Sequence, residues 1–213
     1  MLRVCGVTQA PEENVRVDDY VPLIVEWGVQ RGGNVYWRSG VEQSSLHELG
    51  IELQTGRVSS FTLTLVGPAL RTGGWIDLTG VPAQPGLPVV DLGSWPPGDW
   101  ENGLAYVTDD PNPFLVHLSD DAVCVAFGDL SAVAEALSTG RSHFLLGRDG
   151  ELIGIEVRRL TPAEMQAMRS TLAHASHGQG EPAVQTDFSR RAICLAECAP
   201  ASLPGLSSRV RCR

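Results

Sequence analysis

The feature that most restricts the fold is proline: eight of the fourteen prolines fall between residues 67 and 113, at 68, 82, 85, 88, 96, 97, 111 and 113. Proline lacks the amide that a sheet ladder or a helix interior needs, so this stretch can supply loops and edge strands but no central strand. The regular elements must come from the chain on either side. Glycine is plentiful too, at 23 residues, and the two together cut the sequence into short apolar runs, as in a sheet protein.

Before the proline-rich stretch, Leu2–Val7, Val15–Val17, Val21–Trp27 and Val35–Arg38 are rich in β-branched and aromatic residues and predict strands. Leu46–Leu53 and Val58–Val66 flank the turn Gln54-Thr55-Gly56-Arg57 and predict a hairpin. In its second arm Phe61, Leu63 and Leu65 alternate with Ser60, Thr62 and Thr64, which turns one face to a core. Trp75–Leu78, Pro88–Leu92 and Leu104–Thr108 are candidate short strands, and Phe114–Leu118 and Ala122–Phe127 follow as a pair. Asp129 is placed to cap a short helix with Leu130, Val133, Ala134 and Leu137 on one face and Gly140 as its stop. A second hairpin joins Ser142–Leu146 to Leu152–Val157 through Gly147-Arg148-Asp149-Gly150.

The sharpest local signal comes next. Thr161-Pro162-Ala163-Glu164 has capping-box residues with proline at the first helical position, and Leu160 and Met165 sit where a hydrophobic staple would. Met165, Met168 and Leu172 then form a core-facing stripe up to Gly178. The fold class expected is α+β: predominantly antiparallel β-sheet with two or three short helices. Three segments are expected: a β-rich part with proline-rich loops over 1–110, a ββαββα part over 111–178, and a flexible tail over 179–213 whose Ala, Ser, Pro, Arg and Cys show little periodicity. The two hairpins also echo each other, Gly56–Leu63 aligning with Gly150–Val157. A duplicated ββ module is one reading; the shared chemistry of glycine turns and period-two strands is the other.

Charge excludes some function classes. All 16 basic residues are arginine, so Schiff-base, general-base and P-loop lysines are ruled out. The net charge is −9, and residues 1–179, with 11 arginines against 22 acids, carry −11. An acidic body repels phosphate backbones and attracts basic proteins, so no nucleic-acid partner is expected and a protein partner is. Residues 1–11 hold no long apolar run, and no run reaches the ~20 residues of a membrane helix. With five cysteines, two of them isolated at Cys5 and Cys124, the chain reads as cytoplasmic, with reduced thiols and no membrane partner.

No nucleophile elbow, zincin, P-loop or dinucleotide motif is present, no catalytic residue is assigned and no cofactor is expected. His117 and His143 fall in predicted strands and read as packing or surface residues. Glu48 with Glu52 and Glu151 with Glu156 are conceivable carboxylate pairs whose separation the sequence does not set. His174, His177, Cys194 and Cys198 form the one set with soft metal ligands, loosely spaced and running into the tail. The better candidates are for partner binding. Trp95 and Trp100 stand in the proline-stiffened loop 95–101 beside Asp99 and Glu101 and suit hot-spot anchors. Asp109 with Asp110, and Asp120 with Asp121, are acidic pairs at strand ends.

Asp120-Asp121-Ala122-Val123-Cys124-Val125 through Arg148-Asp149-Gly150-Glu151-Leu152-Ile153-Gly154-Ile155-Glu156-Val157 resembles a small bacterial domain of unknown function that ends in an Asp-Gly-x-Leu/Val-x-Gly-Ile-Glu-Ile hairpin. His47–Val58 resembles a strand-turn-strand element of uncharacterised proteins, some of them immunity proteins of bacterial polymorphic toxin systems. The resemblance covers two stretches, neither of them with a catalytic residue. It implies a non-enzymatic binding protein that neutralises a toxin by covering a basic site. The alternative is an enzyme with a dispersed site, or a small-ligand binder.

Overall fold

A computed structural model describes residues 2–18, 20–29, 33–40, 45–67, 70–72, 78, 80–94 and 107–177. The Trp75–Leu78 strand (bar its last residue), Trp95, Asp99, Trp100, Glu101, the tail, Cys194 and Cys198 lie outside the described residues.

The described residues are mostly β-sheet. One six-stranded sheet is built from β2 (Glu13–Arg16), β3 (Leu23–Trp27), β4 (Asn34–Ser39), β5 (Leu46–Glu52), β6 (Val58–Leu65) and β10 (Val107–Asp110), in the order β10-β4-β5-β6-β3-β2. A seven-stranded sheet uses β7 (Leu70–Thr72), β8 (Ala83–Pro85), β11 (Leu115–Leu118), β12 (Val123–Ala126), β13 (Glu135–Thr139), β14 (Ser142–Leu146) and β15 (Leu152–Val157), ordered β7-β11-β12-β15-β14-β13-β8. β1 (Val4–Thr8) and β9 (Leu87–Val90) form an antiparallel ribbon.

Proline acts as its chemistry requires. The strands that residues 67–113 contribute to the two large sheets, β7, β8 and β10, all lie at sheet edges. All three pair parallel with their neighbours, because they arrive by crossover rather than by a tight turn. β7 and β8, from the first half of the chain, thereby complete the sheet built by residues 115–157.

The two sheets bury their inner faces against each other. Trp27 and Phe144 meet across this layer at 5.1 Å, and Trp37 meets Phe127 edge-on at the same separation. Leu49, Ile51, Phe61, Leu63, Val125 and Leu152 are fully buried around them, each such side chain contributing on the order of 1.5–3 kcal/mol. The period-two alternation of β6 holds for Phe61 and Leu63, whereas Leu65 runs out of the core to 37% exposure.

One α-helix occurs among the described residues, α1 (Pro162–His177). Its capping box is formed: Thr161 N–H donates to Glu164 Oε2 at 2.6 Å and Glu164 N–H to Thr161 Oγ1 at 3.2 Å. Leu160, Met165, Met168 and Leu172 are buried as expected. The helix expected after Asp129 is not there. Asp129 does accept the Ser131 N–H, but the turn lasts only from Leu130 to Ala132 before the chain extends into β13. Leu137 is buried as a strand residue opposite Phe144, because the Gly140-Arg141 turn brings β14 alongside and a full ladder outweighs a short helix.

The echo between hairpins extends to topology. β3 to β6 and β12 to β15 each form a three-stranded meander with the preceding strand added beside the last one. Both meanders shift register just before the final turn, between Gly50 and Ile51 and between Leu145 and Leu146. Gly56 and Gly150 then adopt left-handed φ values of +71° and +76°. The β1–β9 ribbon serves both turns alike: Val90 N–H donates to Gly56 O, and Val4 N–H to Gly150 O, each at 2.8 Å. A Cβ would lie 2.4 Å from Val90 O at Gly56 and 2.8 Å from Val4 O at Gly150, so glycine is needed at both for φ and for space.

Candidate functional site

A hollow opens at the end of the six-stranded sheet where β4, β6 and β10 finish and β5 begins. It encloses about 480 Å³ and is lined by Arg38, Ser39, Gly40, Ser45, Leu46, Leu65, Asp109, Asp110 and Pro111. The parallel register of β10 on β4 sets its chemistry, placing Asp109 beside Arg38 and Asp110 beside Ser39. Arg38 grips Asp109 with two parallel bonds, Nε to Oδ1 at 2.8 Å and Nη2 to Oδ2 at 3.1 Å. Its Nη1 stands 3.9 Å from Glu48. The hydrogen bond to Asp109 raises the guanidinium pKa further, against a smaller opposing effect of burial. Asp110 accepts from the backbone and side-chain amides of Asn112.

Ser39 forms the floor at 4% exposure, and its hydroxyl is 2.7 Å from His47 Nε2. His47 is wholly buried in an aromatic cage, with ring centroids of Phe127 at 4.6 Å, Trp37 and Phe114 at 4.9 Å and Phe61 at 5.7 Å. Burial pushes its pKa down to about 3, with only a small opposing pull from Asp110. The imidazole is therefore neutral at physiological pH. Among the described residues its Nδ1 has no hydrogen-bond partner, so none of their carboxylates orients it as a general base would require. Ser39 and His47 form a packed polar contact rather than an activated nucleophile.

The acidic pairs do not converge. Asp109 and Asp110 line this hollow, whereas Asp120 lines a shallow depression against α1 with Pro162, Met165, Gln166 and Arg169. Asp121 offers its carbonyl to Leu160 N–H at 2.8 Å, a turn role. Glu48 and Glu52 also part company, Glu48 facing Arg38 and Glu52 pairing with Arg57. Glu151 turns back to the Asp149 amide at 3.0 Å, while Glu156 is buried.

Glu156 belongs to a row that spacing along the chain does not reveal. Cross-strand register lines up His117, Cys124, Glu156 and His143 across β11, β12, β15 and β14. Burial raises the Glu156 pKa against the pull of Arg158, which is 2.7 Å away. It lowers that of His143, whose Nδ1 is 4.0 Å from Glu156, and the charges of Arg158 and Arg159 act in the same sense. The Cys124 thiol is pushed up by burial and stays protonated. No group of three or more His, Cys, Asp or Glu side chains converges as metal ligands among the described residues. His174 and His177 fall in the last turn of α1. No helix among the described residues is long and apolar enough to cross a membrane.

No protein-family model matches the sequence, and no curated protein does.

Proposed function

We propose that this is a non-enzymatic protein-binding module of the bacterial cytoplasm whose concrete role is immunity: it neutralises a cognate toxin by covering a basic active site. The observation that carries this reading is the acid-rimmed hollow on an edge strand. Asp109 has 70% of its side chain exposed at the mouth, Asp110 stands beside it, and the chain as a whole carries −9. Such a surface attracts a basic partner over distance and fixes its orientation on contact. The groups nearest the hollow suit binding better than bond breaking, since His47 is enclosed by aromatic rings and burial makes it a weak base. The resemblance of His47–Val58 to elements of immunity proteins points the same way. A small-ligand site is the second reading, favoured by the hollow's 480 Å³, which lies within the roughly 300–1,000 Å³ usual for ligand pockets.

The test is co-expression of the tagged chain with the product of the adjacent gene. Immunity requires a basic product that co-purifies and whose toxicity the chain relieves. Reversing both hollow charges, Asp109→Arg with Asp110→Arg, should weaken the complex by about tenfold or more. If no neighbouring product is toxic or binds, the immunity role is discarded.

A further inference from the structure

Two buried polar atoms on neighbouring strands of the seven-stranded sheet lack a hydrogen-bond partner among the described residues: Oε1 of Glu156 on β15 and Nδ1 of His143 on β14. Register puts the two residues directly opposite each other, and Nδ1 stands 4.0 Å from the other carboxyl oxygen, Oε2. The Glu156 side chain is wholly enclosed, and that of His143 is 20% exposed. One donor among the described residues reaches the carboxyl, Arg158 Nε, 2.7 Å from Oε2. A buried carboxylate is well held as an anion by two or three donors; this one has a single donor on a side chain that is itself 42% exposed. The unmet atom on each partner has lost its water and gained nothing for it. One proton cures both faults. A protonated carboxyl donates its O–H, and a neutral imidazole with its hydrogen on Nε2 accepts at Nδ1.

The surrounding groups decide which partner takes that proton. Burial makes Glu156 easier to protonate, Arg158 opposes this and Asp121 assists it. For His143, burial, Arg158 and Arg159 all disfavour the cation, with Glu13 acting against them. Cys124, beyond Glu156 in the row, is a protonated thiol, and His117 follows it. Beyond His143 register brings the uncharged Ser138, and the nearby Arg141 is taken up by Glu164 of α1. The carboxyl is thus the group that titrates and the imidazole the one that receives its hydrogen bond. We propose that Glu156 and His143 form a proton switch: on mild acidification the carboxyl takes up a proton, hydrogen-bonds through it to His143 Nδ1 and releases Arg158. Glu156 passes from −1 to neutral, while Arg158 keeps its charge and loses its counter-ion. The place of Arg158 gives the release a consequence. Its N–H donates to Arg141 O at 2.9 Å, and its carbonyl accepts from Arg141 Nε at 3.3 Å. Arg159 follows at a left-handed φ of +57°, which side chains other than glycine seldom adopt. Leu160, whose N–H donates to Asp121 O at 2.8 Å, then leads into α1. The ion pair pins the link between β15 and α1, and the proton loosens it. The switch lies away from the hollow and does not depend on any partner.

The test is a side-chain NMR titration of the isotope-labelled full chain from about pH 8 down to about pH 4.5, following the Glu156 carboxyl carbon, the His143 ring nitrogens and Arg158 Nε. The three should share one midpoint, above the ordinary glutamate value of 4.5. There His143 Nδ1 should shift as an acceptor that gains a hydrogen bond, with the ring still neutral, and Arg158 Nε should lose its ion-paired shift. Below the midpoint the Arg158 and Leu160 amides should exchange about tenfold faster, after correction for the intrinsic effect of pH. His143→Phe removes the acceptor of the protonated form and should lower the midpoint by about one pH unit. Arg158→Gln removes the donor that favours the anion and should raise it by about as much. Burial alone predicts otherwise, since a phenyl ring beside the carboxyl would leave the midpoint in place or raise it. The wild-type titration needs neither variant, so a variant that fails to fold leaves the test intact. A Glu156 midpoint at or below 4.5, a His143 ring that becomes cationic with it, an Arg158 Nε or link amides that ignore it, or a His143→Phe midpoint that fails to fall overturns the proposal.

Discussion

The two meanders begin with hairpins that solve the same packing problem with opposite chemistry. Register places Ser39 where the other meander has Thr139, His47 where it has Ser142, and Leu49 where it has Phe144. Trp27 ends β3, and Phe127 follows β12 at the corresponding place. At the β13–β14 end, the half-buried Glu13 carboxylate fills the gap. Its Oε1 accepts from Trp27 Nε1 at 3.3 Å, Thr139 Oγ1 at 3.2 Å and the Ser142 hydroxyl, and its Oε2 accepts from the Arg141 amide. At the β4–β5 end the carboxylate is replaced by the ring of Phe114, the second hydroxyl by His47, and the gap becomes an aromatic cage. One scaffold thus holds a carboxyl group by surrounding it with donors and, elsewhere, an imidazole by keeping it neutral. The difference in loop length goes with this. The clamped end closes with Gly140-Arg141 alone, whereas the caged end needs residues 40–46 and leaves the hollow beside it.

The largest expected effect separates the two ends by pH. An unfolded histidine takes its proton near 6.5, whereas His47 in the folded chain stays neutral down to about 3. Between those values the unfolded state binds the extra proton. The stability contributed is therefore fully present above about pH 6.5 and is lost as pH falls toward 3, reaching roughly 5 kcal/mol at most. Urea unfolding across that window should show the loss, and the double variant Ser39→Ala/His47→Leu should abolish this part of it. Because the variant removes both partners of the buried hydrogen bond, it should match wild type at pH 7 to within about 1 kcal/mol. A variant that keeps the full acid sensitivity would show that the cage does not hold the imidazole neutral.

Next in size is the clamp itself. Glu13→Gln keeps the shape but replaces one acceptor oxygen with a donor facing groups that also donate. A loss of roughly 2–3 kcal/mol is expected, seen as a lower urea midpoint at pH 7 with an unchanged slope. Glu13 carries an end that His47 carries in the other meander, so the loss from Glu13→Gln should be the same in the wild type and in the Ser39→Ala/His47→Leu background, the sites lacking a shared partner. Strong coupling would show that the ends are one network after all.

These contrasts also explain what could be read in advance. The hairpins were legible because their partners are neighbours in sequence and their turn glycines announce a left-handed φ at Gly56 and Gly150. The helix at Pro162 was legible because its cap is four consecutive residues, Thr161 to Glu164. The segment after Asp129 misled because Leu130, Val133, Ala134 and Leu137 satisfy a helical face while Leu137 equally satisfies a strand, and only tertiary pairing decides. The site divides the same way. Asp109 and Asp110 stood out as an acidic pair, but the arginine that makes one of them half of a fork lies 71 residues earlier. Glu13 gave no local sign, its hydroxyl donors being 126 and 129 residues away.

The smallest effect sharpens the comparison from the hollow's side. Arg38–Asp109 and Glu13 with its donors both hold a carboxylate at a hairpin end, yet the first faces water and the second is half-buried among its donors. A surface pair contributes about 0–1 kcal/mol because water screens the charges and two side chains lose freedom. Asp109→Asn should therefore shift the unfolding midpoint hardly at all, in contrast to Glu13→Gln. Raising salt to about 1 M, where the screening length falls to about 3 Å, should erase even that difference. A carboxylate with so little to do for the fold, kept at the mouth of a hollow, is available for binding. Equal losses from Asp109→Asn and Glu13→Gln would make the rim structural and remove that argument.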